Sequence, residues 1–365
     1  MNIRTAGFIG LGLIGGSIAK AIRQVYPDIK IIAHASHTST LEEAYDAGVI
    51  TNNTPLPLSE FANTDVLFLC SPVKVNLDYM SQLAPLLKDD CIITDVGSVK
   101  GDIHKHAHAL SITNQFIGGH PMTGSEKIGF SNSDPSLLEN AYYILTKDEH
   151  TDQKLYEEFS RFISSLGPLV MALSPEEHDF ATAAISHLPH VISASLVNVV
   201  KNNDENSVLK TIAAGGFKDI TRISSSSPVM WQNICMENKE EILKLIDLYK
   251  QELEHFTEAI SKGNEAELIE QFSSAKNYRD SLRIRKSSLL PRTFECFVDI
   301  PDVTGVIAKV ATLLAKYDIS IQNIGIVNNR EYANGALHIE FKTETDLLKA
   351  ETCLKKNGFK TFPKQ

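Results

Sequence analysis

Short apolar runs alternate with helical periodicity along the first part of the chain. The runs are Thr5 to Ile9, Lys30 to His34, Val66 to Cys70, Cys91 to Asp95, Phe116 to Gly119 and Ala141 to Thr146. Bounded by turn residues and mostly apolar, they predict buried strands. Between them, Gly16 to Val25 places Ile18, Ala19 and Ile22 on one face, and Thr40 to Ala47 repeats the helical spacing. Such alternation predicts a doubly wound α/β domain on a largely parallel sheet. From about Thr151 the periodicity is helical and is expected to stay so through Lys286, with long runs at Asp179 to Asn202 and Glu237 to Lys262. That predicts an all-α second domain. The stretch Ile185 to Val200 is apolar on too many faces for a surface helix, so it is expected to be central or, as favoured here, to meet a second copy in a homodimer.

A linker is expected at Ser287 to Pro291. Beyond it, Phe294 to Ile300, Gly305 to Tyr317, Ile319 to Val327, Ala336 to Phe341, Thr345 to Asn357 and Phe359 to Phe362 read β-α-β-β-α-β. This is the order of a ferredoxin-like unit. The expected domains are therefore residues 1–165, 166–290 and 291–365.

The first strand-to-helix turn carries Gly10-Leu11-Gly12-Leu13-Ile14-Gly15, a G-x-G-x-x-G pattern. Gly10 suits a tight turn, Gly12 lets the backbone approach a pyrophosphate, and Gly15 lets the helix pack closely on the sheet. The helix's free N–H groups then face the phosphates. Gly10, Gly12, Leu13, Ile14 and Gly15, with Ser36 and Ser71 at later strand ends, are the candidate nucleotide contacts.

Composition narrows the partners. A net charge of −10 and a pI near 5.7 give no basic face for nucleic acid or an anionic membrane. The start of the chain lacks a charged leader, and no apolar stretch is read as long enough to cross a bilayer, so a cytoplasmic location is expected. The five cysteines are dispersed without a C-x-x-C pair, which predicts reduced thiols and no zinc site.

In an open parallel sheet the ligand crevice lies outside the strands' carboxyl ends, which draws attention to Ser71, Ser98 and His120. His120 is the candidate general base, since a histidine can accept a proton at neutral pH as an alcohol is oxidised. Ser98 either hydrogen-bonds the same hydroxyl or caps the helix that follows. His187 and His190 in Ser186-His187-Leu188-Pro189-His190 lack a third ligand for a metal and suit substrate contact or a buried polar turn. Gly215 to Arg222 sets a glycine pair before Lys218, Asp219 and Arg222, which suits either a carboxylate clamp at Arg222 or a surface ion pair. Trp231 is expected to pack the helical core, and His104, His106 and His108 to lie on a solvated face.

Taken in order, GLGLIGGS, TDVGSVKG, GGHPMTGSEKIG, SHLPH, and GGFKDITRI followed by PVMW resemble the prephenate dehydrogenases of tyrosine biosynthesis, over about residues 3–285. The resemblance implies that His120 is the catalytic histidine and Ser98 the hydroxyl-contacting serine. It implies that Arg222 holds the substrate carboxylate, that Glu126 and His187 are active-site residues, and that Lys218 belongs with the substrate-binding set. The implied reaction is oxidative decarboxylation of prephenate to 4-hydroxyphenylpyruvate with a hydride passed to NAD. Arogenate in place of prephenate, or a non-catalytic sensor, are the alternatives.

The family tends to place an acidic residue after the second strand, where this chain has His34-Ala35-Ser36-His37, so NADP stays open beside the favoured NAD. The final segment resembles an ACT domain, a module that binds amino acids. That implies an effector site at Asp302, Val303, Thr304, Gly305 and Asn323, with tyrosine as the effector.

Overall fold

The computed structural model describes residues 3–124, 127–289, 294–301, 303–327, 336–341 and 343–363, and it divides into two compact units, 1–252 and 253–365. The first unit opens with β1 (Thr5–Ile9), α1 (Leu13–Val25), β2 (Lys30–His34), α2 (Thr38–Asp46), β3 (Val66–Leu69), α3 (Val73–Leu83), β4 (Ile92–Asp95), α4 (Gly101–Ala109) and β5 (Phe116–Pro121). Then come β6 (Tyr142–Thr146), α5 (Gln153–Ser165) and β7 (Leu169–Leu173). The sheet runs β2-β1-β3-β4-β5-β6-β7, parallel from β2 through β5, with β6 antiparallel to β5 and β7 parallel to β6.

Strand side chains alternate between two dry layers. Phe8, Phe68, Ile92 and Ile117 join one core, while Ile9, Leu67, Leu69, Ile93 and Phe116 join the other. That is the period-two projection of a pleated strand covered by helices on both faces. Phe8 and Phe68, paired across β1 and β3, stack at 4.8 Å. Parallel pairing brings the carboxyl ends of β1, β3, β4 and β5 to one edge.

The expected run of continuous helix from Thr151 is interrupted by β7. Its sequence Leu169-Val170-Met171-Ala172-Leu173 is half exposed at the sheet's edge, where it pairs with β6 alone. Leu, Met and Ala favour helix in isolation, so the strand is a product of pairing.

The helical part follows with α6 (Pro175–Thr182), a π-turn at Ala183–His187, α7 (Leu188–Asn202), α8 (Val208–Ile212), α9 (Gly215–Thr221), α10 (Pro228–Glu237) and α11 (Lys239–Lys262), the last reaching into the second unit. A capping box between Ser174 and Glu177 starts α6, with Pro175 in the first turn. The π-turn joins α6 and α7 into 28 continuous residues, which by length and composition alone could cross a membrane, against the expectation of no such stretch. Only 17% of its apolar window is buried, and Ile185 and Val199 are exposed. Its apolar face is therefore largely exposed in this unit.

The second unit carries α12 (Glu265–Leu289), β8 (Phe294–Asp299), α13 (Val306–Lys316), β9 (Asn323–Val327), β10 (Ala336–Phe341), α14 (Glu344–Lys356) and β11 (Lys360–Pro363). These last strands and helices follow the expected β-α-β-β-α-β order, in an antiparallel sheet ordered β11-β8-β10-β9. Cys296, Val298, Leu337 and Ile339 face Val310, Leu314 and Leu354 in its core. Gly305 caps α13 in the left-handed region (φ 87°), and β9 is one of the sheet's two edge strands. Asp302 lies outside the described residues.

Candidate active site

The turn after β1 is built as the glycine pattern requires. Gly10 has φ 94°, and a Cβ there would meet Ser71 Oγ at 2.8 Å. A Cβ on Gly15 would strike the Gly10 carbonyl at 2.7 Å and Cys70 Cβ at 2.8 Å, whereas one on Gly12 would meet nothing within 4 Å and project into open space. Leu13 and Ile14 open α1, whose N-terminus has no side-chain cap and no acidic residue in its first turn. A cavity of about 360 Å³ adjoins it, lined among others by Gly10, Gly12, His34, Ser36, Ser71 and Tyr79. An uncapped helix N-terminus beside open space fits the phosphates of a dinucleotide. Cys70 also lines this cavity, but burial, aided by the nearby Asp95 charge, pushes its thiol well up and keeps it protonated.

His120 lies on β5 near its carboxyl end and is half buried. Its Nδ1 is 2.8 Å from Nε2 of His178 on α6. His178 is fully buried, and its Nδ1 is 2.8 Å from Asp179 Oδ1. The Asp179 carboxylate accepts the Lys100 N–H at 2.7 Å and the Gly101 N–H at 2.7 Å. It thereby caps α4 from 79 positions away. Ser98 is half buried in the turn between β4 and α4 and is not the residue that caps that helix, which settles one of its two expected roles.

Beneath this chain lies a buried ion pair. Lys100 Nζ pairs with Asp95, and both side chains are fully buried. Asp95 also accepts the N–H groups of Gly97 at 2.8 Å and Gly119 at 3.1 Å, while Lys100 Nζ donates to the Gly119 carbonyl at 2.9 Å. Burial lowers the Lys100 proton affinity and the Asp95 charge opposes it. The ends of β4 and β5 are thus bound together next to His120.

His187 sits in the π-turn, almost fully buried, where the widened turn carries it towards α10. Asn238 Nδ2 donates to the Asp179 carbonyl at 2.8 Å and lies 3.2 Å from His187 Nδ1, so that nitrogen is the acceptor and the ring proton belongs on Nε2. Burial pushes His187 down to about 4. Its ring meets Trp231 edge-on at 6.0 Å, and His190 stacks on Trp231 at 3.6 Å. Trp231 therefore does more than pack the core: with His190, Ile223 and Cys235 it lines a cavity of about 350 Å³.

Arg222 and Lys218 are exposed on the turn beyond, with the Arg222 charge adding to burial in lowering His190. The structure thus joins His120 to His187 through His178, Asp179 and Asn238, and brings Arg222 near His190. Glu126 lies outside the described residues.

Sequence reasoning missed His178, Asp179, Asp95 and Lys100. It also set His104 on a solvated face. His104 is in fact buried, lies 2.8 Å from Thr146 Oγ1, and is pushed down to about 4 by burial.

Two family models match the chain. Residues 18–172 match "Prephenate dehydrogenase, nucleotide-binding domain" and residues 174–274 match "Prephenate dehydrogenase, dimerization domain". A prephenate dehydrogenase of Bacillus subtilis is 38% identical over 97% of this chain and 96% of its own length. One from Lactococcus lactis is 35% identical over 95% of this chain and 96% of its own. Among solved structures, prephenate dehydrogenase from A. aeolicus in complex with hydroxyphenyl propionate and NAD+ is 33% identical, with a TM-score of 0.72 over 77% of this chain and 99% of its own. Synechocystis arogenate dehydrogenase is 30% identical, with a TM-score of 0.70 over 76% of this chain and 99% of its own.

Proposed function

The chain belongs to the prephenate dehydrogenase family, and from that premise we propose that it is an NAD-dependent enzyme that oxidatively decarboxylates prephenate to 4-hydroxyphenylpyruvate. The observation that carries the reading is His120, at the same carboxyl edge of the sheet as the nucleotide cradle and tied to a buried histidine and carboxylate.

Bound at Gly10 to Gly15, NAD supplies the acceptor for the hydride that leaves the ring carbon. His120 takes the hydroxyl proton as that hydride departs. The ring carboxylate leaves as carbon dioxide and its bonding electrons complete the aromatic ring. The proton then returns to what has become a phenol. Ser98, in the turn after the neighbouring strand, orients the hydroxyl, while His187 contacts the substrate, the role that the family resemblance also gives Glu126. Assaying prephenate and arogenate, each with NAD and NADP, tests the reading. Preference for arogenate or for NADP overturns the corresponding part, and no turnover with any pair overturns the whole.

Arg222 and Lys218 hold the substrate's carboxylates. Negative charge is lost from the departing carboxylate during reaction, so a tight clamp on it stabilises the ground state more than the transition state. Arg222→Ala should therefore raise KM by tenfold or more, for a loss of about 1.5–3 kcal/mol in a charged hydrogen bond, with a smaller change in kcat. A collapse of kcat at unchanged KM assigns Arg222 elsewhere.

The exposed apolar face of α7 and the dimerization model over residues 174–274 support a homodimer. The βαββαβ unit, with Gly305 in a left-handed turn and Asn323 at the start of an edge strand, supports an ACT domain whose effector site is built from residues 302–305 and Asn323. Tyrosine, the end product of this branch, binds there and inhibits. Removing residues from Pro291 onward should leave activity that tyrosine no longer reduces. Equal inhibition of both forms, or none of the full chain, overturns the regulatory reading.

A further inference from the structure

We propose that His178 is a positioning residue that fixes the tautomer of His120, through a hydrogen-bonded chain that ends on the Asp179 carboxylate at the start of α4. The proposal rests on the reading of His120 as the base.

The direction of every hydrogen bond follows from the far end. Asp179 Oδ1 takes the Lys100 N–H and Oδ2 takes the Gly101 N–H, both at 2.7 Å, and a carboxylate receiving two backbone donors at a helix N-terminus is held as an acceptor. His178 Nδ1, 2.8 Å from Oδ1, must therefore carry the ring proton and donate it. A neutral imidazole has one N–H, so His178 Nε2 is bare. It faces His120 Nδ1 at 2.8 Å and can only accept, which puts the His120 proton on Nδ1. His120 Nε2 is then the nitrogen with the free lone pair. No other neutral arrangement satisfies all three groups, because a proton on His178 Nε2 would leave its Nδ1 bare against the Asp179 carboxylate, two acceptors 2.8 Å apart.

The arrangement is held by structure rather than by solvent. His178 is fully buried, and the Ser174–Glu177 capping box fixes the first turn of α6 that presents it and Asp179. The groups facing this pair are Lys100, Asp95 and His187, all themselves buried and, for Lys100 and Asp95, already paired. When His120 takes a proton at Nε2, its Nδ1–H stays on His178, and the chain passes the stabilisation of the new charge to Asp179. The logic is that of a histidine oriented by a buried carboxylate in the serine-protease triad, with one more imidazole interposed.

A residue that acts only through His120 must lose its value when His120 is gone. His178→Leu should lower kcat about 10- to 100-fold with KM and NAD binding unchanged, the usual cost of losing a group that orients a functional side chain. His178→Gln can place its amide oxygen where Nε2 stood and should regain most of that loss. In a His120→Asn background, His178→Leu should cost no further activity.

An equal cost in both backgrounds overturns the tautomer role alone, as does a folded His178→Leu enzyme within about threefold of wild type. A His120→Asn enzyme with wild-type turnover overturns the base reading and this inference with it. Nitrogen NMR of the wild-type protein gives a check free of folding effects. The neutral His120 ring should be protonated at Nδ1 and bare at Nε2, and the reverse tautomer overturns the proposal.

Discussion

His120→Asn is expected to lower kcat by about 10²–10⁴-fold, the usual value of a positioned general base, with KM changed little. Asparagine keeps a polar group of similar reach to Nδ1, so the contact to His178 and the local packing survive while the proton acceptor does not. The pH profile separates this from a loss of structure. Burial pushes His120 well below the ordinary histidine range, and the nearby Lys100 charge acts in the same direction. The unprotonated ring is the active form, so kcat/KM of the wild-type enzyme should be level through neutrality and fall only as acid protonates the ring, below about pH 6.5. The mutant should lack that limb. Turnover near wild type, or an unchanged limb, would show that another group takes the proton.

The parts of this site that could be read from sequence were those fixed by local chain geometry. Gly10 and Gly15 are dictated by a turn and a close approach within one βα unit, and His120 by its place at a strand's end, so short motifs were enough to find them. Parallel strands were legible for a related reason: β1 and β3 are dry on both faces, and nearly continuous apolar runs say so. Edge strand β7 has no such signature. Its residues are good helix formers and only its pairing with β6 makes it a strand.

His178, Asp179 and Lys100 are invisible for a different reason. His178 meets His120 from 58 positions away and Asp179 meets the Lys100 N–H from 79, and a histidine followed by an aspartate near the start of a helix looks like ordinary solvated surface. The capping box at Ser174 announces where α6 begins, but not that the residues after it point into the sheet's edge. A lysine at the end of a glycine-flanked turn is equally mute until β4 and β5 close over it.

Lys100→Met is expected to destabilise the first unit by about 3–5 kcal/mol, because breaking a fully buried pair leaves an uncompensated charge where water cannot reach it. Methionine fills much of the volume, so packing is not the cause. Asp95 would be left with the Gly97 and Gly119 N–H groups alone. For a unit of this size the loss corresponds to a fall in Tm on the order of 10 °C.

Adding Asp95→Asn to the same protein should restore part of it, since the amide removes the stranded charge and its oxygen can still accept a backbone N–H. A single mutant within about 2 °C of wild type would show that Asp95 is satisfied without the lysine. Activity should report on the pair as well. Lys100 Nζ also holds the Gly119 carbonyl, one residue before His120, so its loss frees the end of β5 that carries the base. Measured well below its melting range, Lys100→Met should show a reduced kcat while keeping the acid limb that belongs to His120. Loss of the limb together with kcat would instead place Lys100 in the proton transfer itself.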